Sequence, residues 1–137
     1  MKGFSGDVER FNELVQELHR RKCKSLARAV AEEVIVSTPV DTGRLRGNWQ
    51  SSLNKRKYGY DKNARDPSGA EAIAAARAVL ERYVMGDKFY LRNSAPYMLA
   101  IAEKGWSDQQ PKPGWIKRAV TRARLREIRG FKKSGRV

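Results

Sequence analysis

Ser37-Thr38-Pro39-Val40-Asp41-Thr42-Gly43-Arg44-Leu45-Arg46-Gly47-Asn48-Trp49 reads as a helix stop, a turn and an alternating strand written back to back. Pro39 has no amide hydrogen and biases Thr38 away from helical dihedrals, so a helix arriving from the N-terminal side ends here. Asp41-Thr42-Gly43 then supplies turn chemistry. Over residues 44–53 the side chains alternate, with Leu45, Trp49 and Leu53 on one face and Arg46, Asn48, Gln50 and Ser52 on the other. That period of two predicts a half-buried antiparallel strand.

On the N-terminal side of this corner, residues 5–37 predict one long helix. Ser5 or Asp7 stands near its start, and Phe11, Leu14, Val15, Leu18, Leu26, Val30 and Val34 recur at helical spacings. A helix of that length, at about 1.5 Å per residue, outruns a small core, so part of it is expected to pack on a neighbouring subunit or project into solvent. On the C-terminal side, residues 54–67 lack periodicity and carry turn formers and a basic triplet, which predicts a long mobile loop. Ser68-Gly69-Ala70-Glu71 has the form of a capping box, and a helix over 69–85 follows with Gly86 as its stop. A second strand is expected over 87–93, a short helix over 96–103, a loop over 105–111 and a last helix over 113–129, where Trp115, Ile116, Ala119, Val120 and Ala123 form the apolar stripe. Residues 130–137 read as a frayed basic tail. The expected class is α+β: one domain with a small antiparallel sheet packed against long N-terminal, middle and C-terminal helices.

Three further segments complete a pattern with the corner: Asn93-Ser94-Ala95-Pro96-Tyr97, then Glu103-Lys104-Gly105, then Pro111-Lys112-Pro113-Gly114-Trp115. With Pro39-Val40-Asp41-Thr42-Gly43-Arg44-Leu45-Arg46 they resemble the tail-completion and head-to-tail connector proteins of tailed bacteriophages. The resemblance spans about residues 34–122, in pieces that are each short and degenerate. It implies a structural virion protein of the neck or head-proximal tail, made in the host cytoplasm. It further implies a homo-oligomeric ring, a hexamer in preference to a dodecamer, that contacts neck, connector and tail-tube proteins while DNA passes through its centre. Pro39, Asp41, Thr42 and Gly43 form the structural corner in this reading.

Charge points to partners independently of family. The chain has 137 residues, with 29 Lys and Arg against 15 Asp and Glu, a formal net charge of +14. From Lys112 onward there are ten basic residues and one acid, Glu127. Arg118, Arg122, Arg126 and Arg129 lie on or near one side of the last helix, which places the positive field on a rod. Phosphates and acidic protein surfaces are attracted to such a field alike, so contact with DNA in the channel and docking on an acidic partner ring both stand. A nonspecific basic nucleic-acid-binding protein is the alternative function. Tyr58 and Tyr60 lie in the basic loop, where they stack on single-stranded nucleic acid or, the preferred reading, pack on a subunit neighbour. Trp49 and Trp115 read as core, whereas Trp106, in a loop, is the expected interface anchor.

Covalent chemistry finds little footing in these residues. His19, the only histidine, and Cys23, the only cysteine, stand one helical turn apart without a third group at triad or metal-ligand spacing. Asp41 reads as a turn former and Glu103 as a helix-end group, and no phosphate-loop spacing occurs. The expectation is a non-enzymatic chain with no cofactor, metal or small-molecule substrate. No apolar run is long enough to span a membrane, and Met1-Lys2-Gly3-Phe4-Ser5 does not read as a signal peptide.

Overall fold

The computed structural model describes residues 3–104 and 112–134. Its order is α1 (Gly3–Ser37), α2 (Arg44–Gly47), β1 (Trp49–Leu53), α3 (Ala70–Glu81), β2 (Phe89–Asn93), α4 (Met98–Lys104) and α5 (Trp115–Ser134). The strands form a two-stranded antiparallel sheet in which Trp49 stands opposite Asn93, Ser51 opposite Leu91 and Leu53 opposite Phe89. This is an α+β fold with a long N-terminal helix. Among the described residues no helix is long and apolar enough to cross a membrane.

The core gathers where the second half of α1 meets the sheet and the other helices. Val34, Ile35, Leu45, Trp49, Ala72, Met98, Ile101, Trp115 and Ala119 form one buried cluster. Both buried indoles find an acceptor, as a desolvated N–H requires: Trp49 Nε1 donates to Thr38 Oγ1 at 2.8 Å and Trp115 Nε1 to the Ile101 carbonyl at 3.1 Å. α3 covers β1, and α1 packs against α3 and α5.

Several sequence expectations change. Residues 44–47 are a helical turn instead of the first half of a strand, because Gly47 N donates to the Gly43 carbonyl and Asn48 N to that of Leu45. The turn still buries Leu45, but it sends Arg46 back toward α1, a direction that strand alternation does not allow. Within β1 both Ser51 and Ser52 are buried, so the polar positions do not all face solvent. The loop over 54–67, expected to be mobile, is tied to β1 and the corner: Asn48 Nδ2 donates to the Asp61 carbonyl, Asn48 Oδ1 accepts from Asp61 N, and Gln50 Nε2 donates to the Gly59 carbonyl.

The capping box is replaced by Asp66. Its carboxylate accepts the amides of Glu71 at 3.3 Å and Ala72 at 3.0 Å, satisfying first-turn donors of α3 that no backbone carbonyl reaches. Ser68 Oγ accepts only from Ala70 N, at 3.3 Å. α3 ends at Glu81, four residues short of the expected end, and α5 runs through residues 130–134, which were expected to be frayed tail. Residues 105–111, including the loop expected there, and 135–137 lie outside the described residues.

Candidate functional site

The corner is a knot of backbone contacts between segments distant in sequence. Arg46 donates from Nη2 to the carbonyls of Val36 at 2.7 Å and Thr38 at 2.6 Å, and from Nη1 to that of Pro67 at 2.7 Å. These oxygens include the orphan acceptors at the C-terminus of α1, where a cation also complements the helix dipole. Burial pushes the Arg46 pKa down from its ordinary value and the nearby Asp66 carboxylate opposes that shift, while the guanidinium stays charged at any ordinary pH. Thr38, 1% exposed, donates its hydroxyl to the Val34 carbonyl while accepting the Trp49 indole. Gly43 has φ +88°, and its carbonyl accepts both Gly47 N at 2.9 Å and Asp66 N at 3.1 Å.

The second segment of the pattern meets the first directly. Asn93 Nδ2 donates to the Leu45 carbonyl at 2.8 Å, and Asn93 Oδ1 accepts from Ala95 N at 3.1 Å, which turns the chain into α4. Tyr97 and Ile101 then line, with Pro39, Asp41, Thr42, Arg44 and Leu45, a groove of about 600 Å³. Val40, between two lining residues in sequence, is 40% exposed, and Leu99 of α4 is 74% exposed. Trp115 closes the set through its bond to Ile101.

Tyr58 and Tyr60 do not stand free. The Arg92 guanidinium lies 4.3 Å from the Tyr58 ring centroid, and Tyr60 meets Tyr97 edge to face at 6.4 Å. Both tyrosines therefore spend one face on their own chain. Burial, followed by the contact with Tyr60, raises the Tyr97 hydroxyl above its ordinary pKa.

The arginines of α5 divide in the same way. Arg122 and Arg126 grip Glu33 of α1 at 2.9 and 3.0 Å, and Arg122 also reaches Ser37 Oγ at 3.0 Å. Arg118 donates to the carbonyls of Pro113 and Lys112, holding the lead into its own helix. Arg129 is exposed, as are Lys117 and Arg124. The continuous positive rod expected from spacing is thus partly neutralised within the chain. Trp106, the expected anchor, lies outside the described residues.

These pairs carry a consequence for acid stability. The hydrogen bond from Arg122, reinforced by Arg126, holds the Glu33 carboxyl below the usual carboxylate range, with burial opposing. A folded pKa below the unfolded one contributes stability that is present above the unfolded value and lost as pH falls through the folded one. Replacing both Arg122 and Arg126 with Gln should therefore lower stability at pH 7 by roughly 1 kcal/mol, since both guanidinium groups are half exposed. In urea melts the difference from wild type should be smaller near pH 3 than at pH 7. An equal deficit at both pH values would assign the loss to packing instead.

His19 is exposed and Cys23 partly buried. Contact with the Cys23 thiol, with burial added, raises the Tyr83 hydroxyl above its ordinary pKa. Among the described residues no group of three His, Cys, Asp or Glu side chains is placed to hold a metal ion. Sequence reasoning missed Asp66 and Asn48 as organising residues and named Asn93 only as part of a motif. Each is an ordinary loop or strand polar residue by spacing, and its role appears through partners 5 to 48 positions away. Comparison of the chain with protein-family models, with curated proteins and with solved structures finds no match.

Proposed function

We propose that this chain is a structural subunit of a tailed bacteriophage, a neck or tail-completion protein that forms a ring around the DNA path and joins tail to filled head. The reading rests on the resemblance of the four short segments. The observation that supports it is the proximity of three of them: Asn93 of the second bonds the Leu45 carbonyl of the first, Tyr97 of the second lines a groove with Pro39, Asp41, Thr42, Arg44 and Leu45 of the first, and Trp115 of the last bonds the carbonyl of Ile101, which lines the same groove. A role carried by surfaces is also consistent with the exposed apolar residues Val40 and Leu99 and those along the first half of α1. In this reading Val40 and Leu99 face the adjoining ring, and exposed Arg129 and Lys117 face DNA or an acidic partner.

The test is in-vitro complementation. Heads and tails isolated from a lysate lacking this product should be joined into infectious particles by the purified protein. Leu99→Asp should keep the wild-type melting temperature, because the side chain is exposed, and should lower the yield of joined particles at least about tenfold if the leucine is an anchor. A protein that joins nothing, yet retards any duplex DNA with steep salt dependence, would instead be the nonspecific nucleic-acid binder.

A further inference from the structure

The first half of α1 leaves the body of the molecule. Every residue from Asp7 to Gln16 is exposed, and α5 runs antiparallel to α1 with Ser25 bonded to Glu127 and Glu33 bonded to Arg122 and Arg126. The arm from Gly3 to Leu18 is about 24 Å of helix at 1.5 Å per residue. It carries Val8, Phe11, Val15 and Leu18 at alternating spacings of three and four, with Leu14 flanking them. These five are 42%, 64%, 44%, 48% and 59% exposed in that order. Such a stripe is the seam of a coiled coil without its second helix.

Charge along α1 says which second helix fits. From Asp7 to Glu17 there are four acids and one base, Arg10, whereas from Arg20 to Arg28 there are five bases and no acid. A parallel copy would lay acid on acid and base on base. An antiparallel copy centred near Leu14 sets Asp7 and Glu9 of each helix beside Arg21 and Arg20 of the other, and does so twice.

We infer that the arm binds the arm of a second copy of this chain, as an antiparallel helix pair with its two-fold axis near Leu14. In that register Phe11 falls between Val15 and Leu18 of the second copy, Val8 beyond that Leu18, and Asp7 opposite Arg21. Arg21 already shares Glu17 on its own helix at 2.9 Å, and it is exposed enough to accept a second carboxylate. The inference does not depend on the phage reading. A two-fold contact satisfies both partners and closes, so it is distinct from the polar contacts that repeat around a ring, and loss of either leaves the other intact.

Sedimentation of the full-length protein should show a reversible monomer–dimer equilibrium. Leu14→Glu should be monomeric at concentrations where the wild type is dimeric, with the melting temperature of the dilute, monomeric wild type because the side chain is mostly exposed. Orientation is read by mild oxidation in a Cys23→Ser background. A mixture of Asp7→Cys and Arg21→Cys chains should give a mixed disulfide dimer, and Asp7→Cys alone should give none. A wild type that stays monomeric at its solubility limit, a Leu14→Glu protein that still dimerises, or Asp7→Cys chains that cross-link to themselves as readily as the mixture would each overturn the inference. So would association that appears only when duplex DNA is added.

Discussion

Gly43→Val is expected to leave no stable folded protein. A Cβ at this position would stand 2.6 Å from the backbone nitrogens of Asp66 and Pro67 and 2.8 Å from the Asp66 carbonyl carbon, so backbone has to move to admit any side chain. The same residue holds φ +88°, which a β-branched side chain adopts only at a cost of about 1–3 kcal/mol. Displacing residues 66–67 would also break the Asp66 N–H bond to the Gly43 carbonyl and pull the Asp66 carboxylate from α3. The sum is at least about 4 kcal/mol, comparable with the whole stability of a small domain. Gly43→Ala should lose most of that, because the clash begins at Cβ. Thr42→Ala removes only a long 3.3 Å acceptor for Arg44 N and should cost under about 1 kcal/mol. If urea melts of Gly43→Ala and Thr42→Ala coincide, the close approach of residues 43 and 66 is not present in solution.

Asp66→Ala is expected to be the most damaging loss of a polar side chain. The residue is 4% exposed, and its carboxylate both accepts the Glu71 and Ala72 amides at the start of α3 and balances the partly buried guanidinium of Arg46. Removing it strands buried amides and a partly desolvated cation, at a cost of about 3 kcal/mol. Asp66→Asn keeps one acceptor oxygen and loses the charge, so about half that loss is expected. Ser68→Ala should be close to neutral. A double-mutant cycle of Asp66→Asn with Arg46→Gln should be non-additive by about 1 kcal/mol, because the first substitution already removes what Arg46's charge acts on. Should Ser68→Ala prove as destabilising as Asp66→Ala, the capping role would return to the Ser-x-x-Glu spacing.

Both predictions concern the same place, and together they explain why the corner is written as it is. Pro39 ends α1, Arg46 collects the carbonyls that this ending leaves without amides, and Gly43 lets the loop to α3 pass against the corner. The contacts that shape the groove lined by Tyr97 and Leu45 are therefore backbone contacts held by three side chains.

What the sequence determined by itself was local. Pro39 stopped α1 at Ser37, apolar spacing placed α1, α3, β2 and α5 to within a few residues except where α5 runs on to Ser134, and the length of α1 in excess of a small core was legible in the sequence. Each of these follows from dihedral limits or periodicity, which a window of a dozen residues contains. Only the tertiary structure decided the rest. Residues 44–47 became a helical turn because Arg46 has acceptors in α1 and at Pro67; Asp66 displaced Ser68 as the cap because Gly43 lets it approach; and Arg122 and Arg126 turned from an outward field into clamps on Glu33. The physical reason is common to all three: a hydrogen bond or ion pair is set by which donors and acceptors folding brings within bonding distance, and partners 8 to 93 positions apart are not fixed by local periodicity.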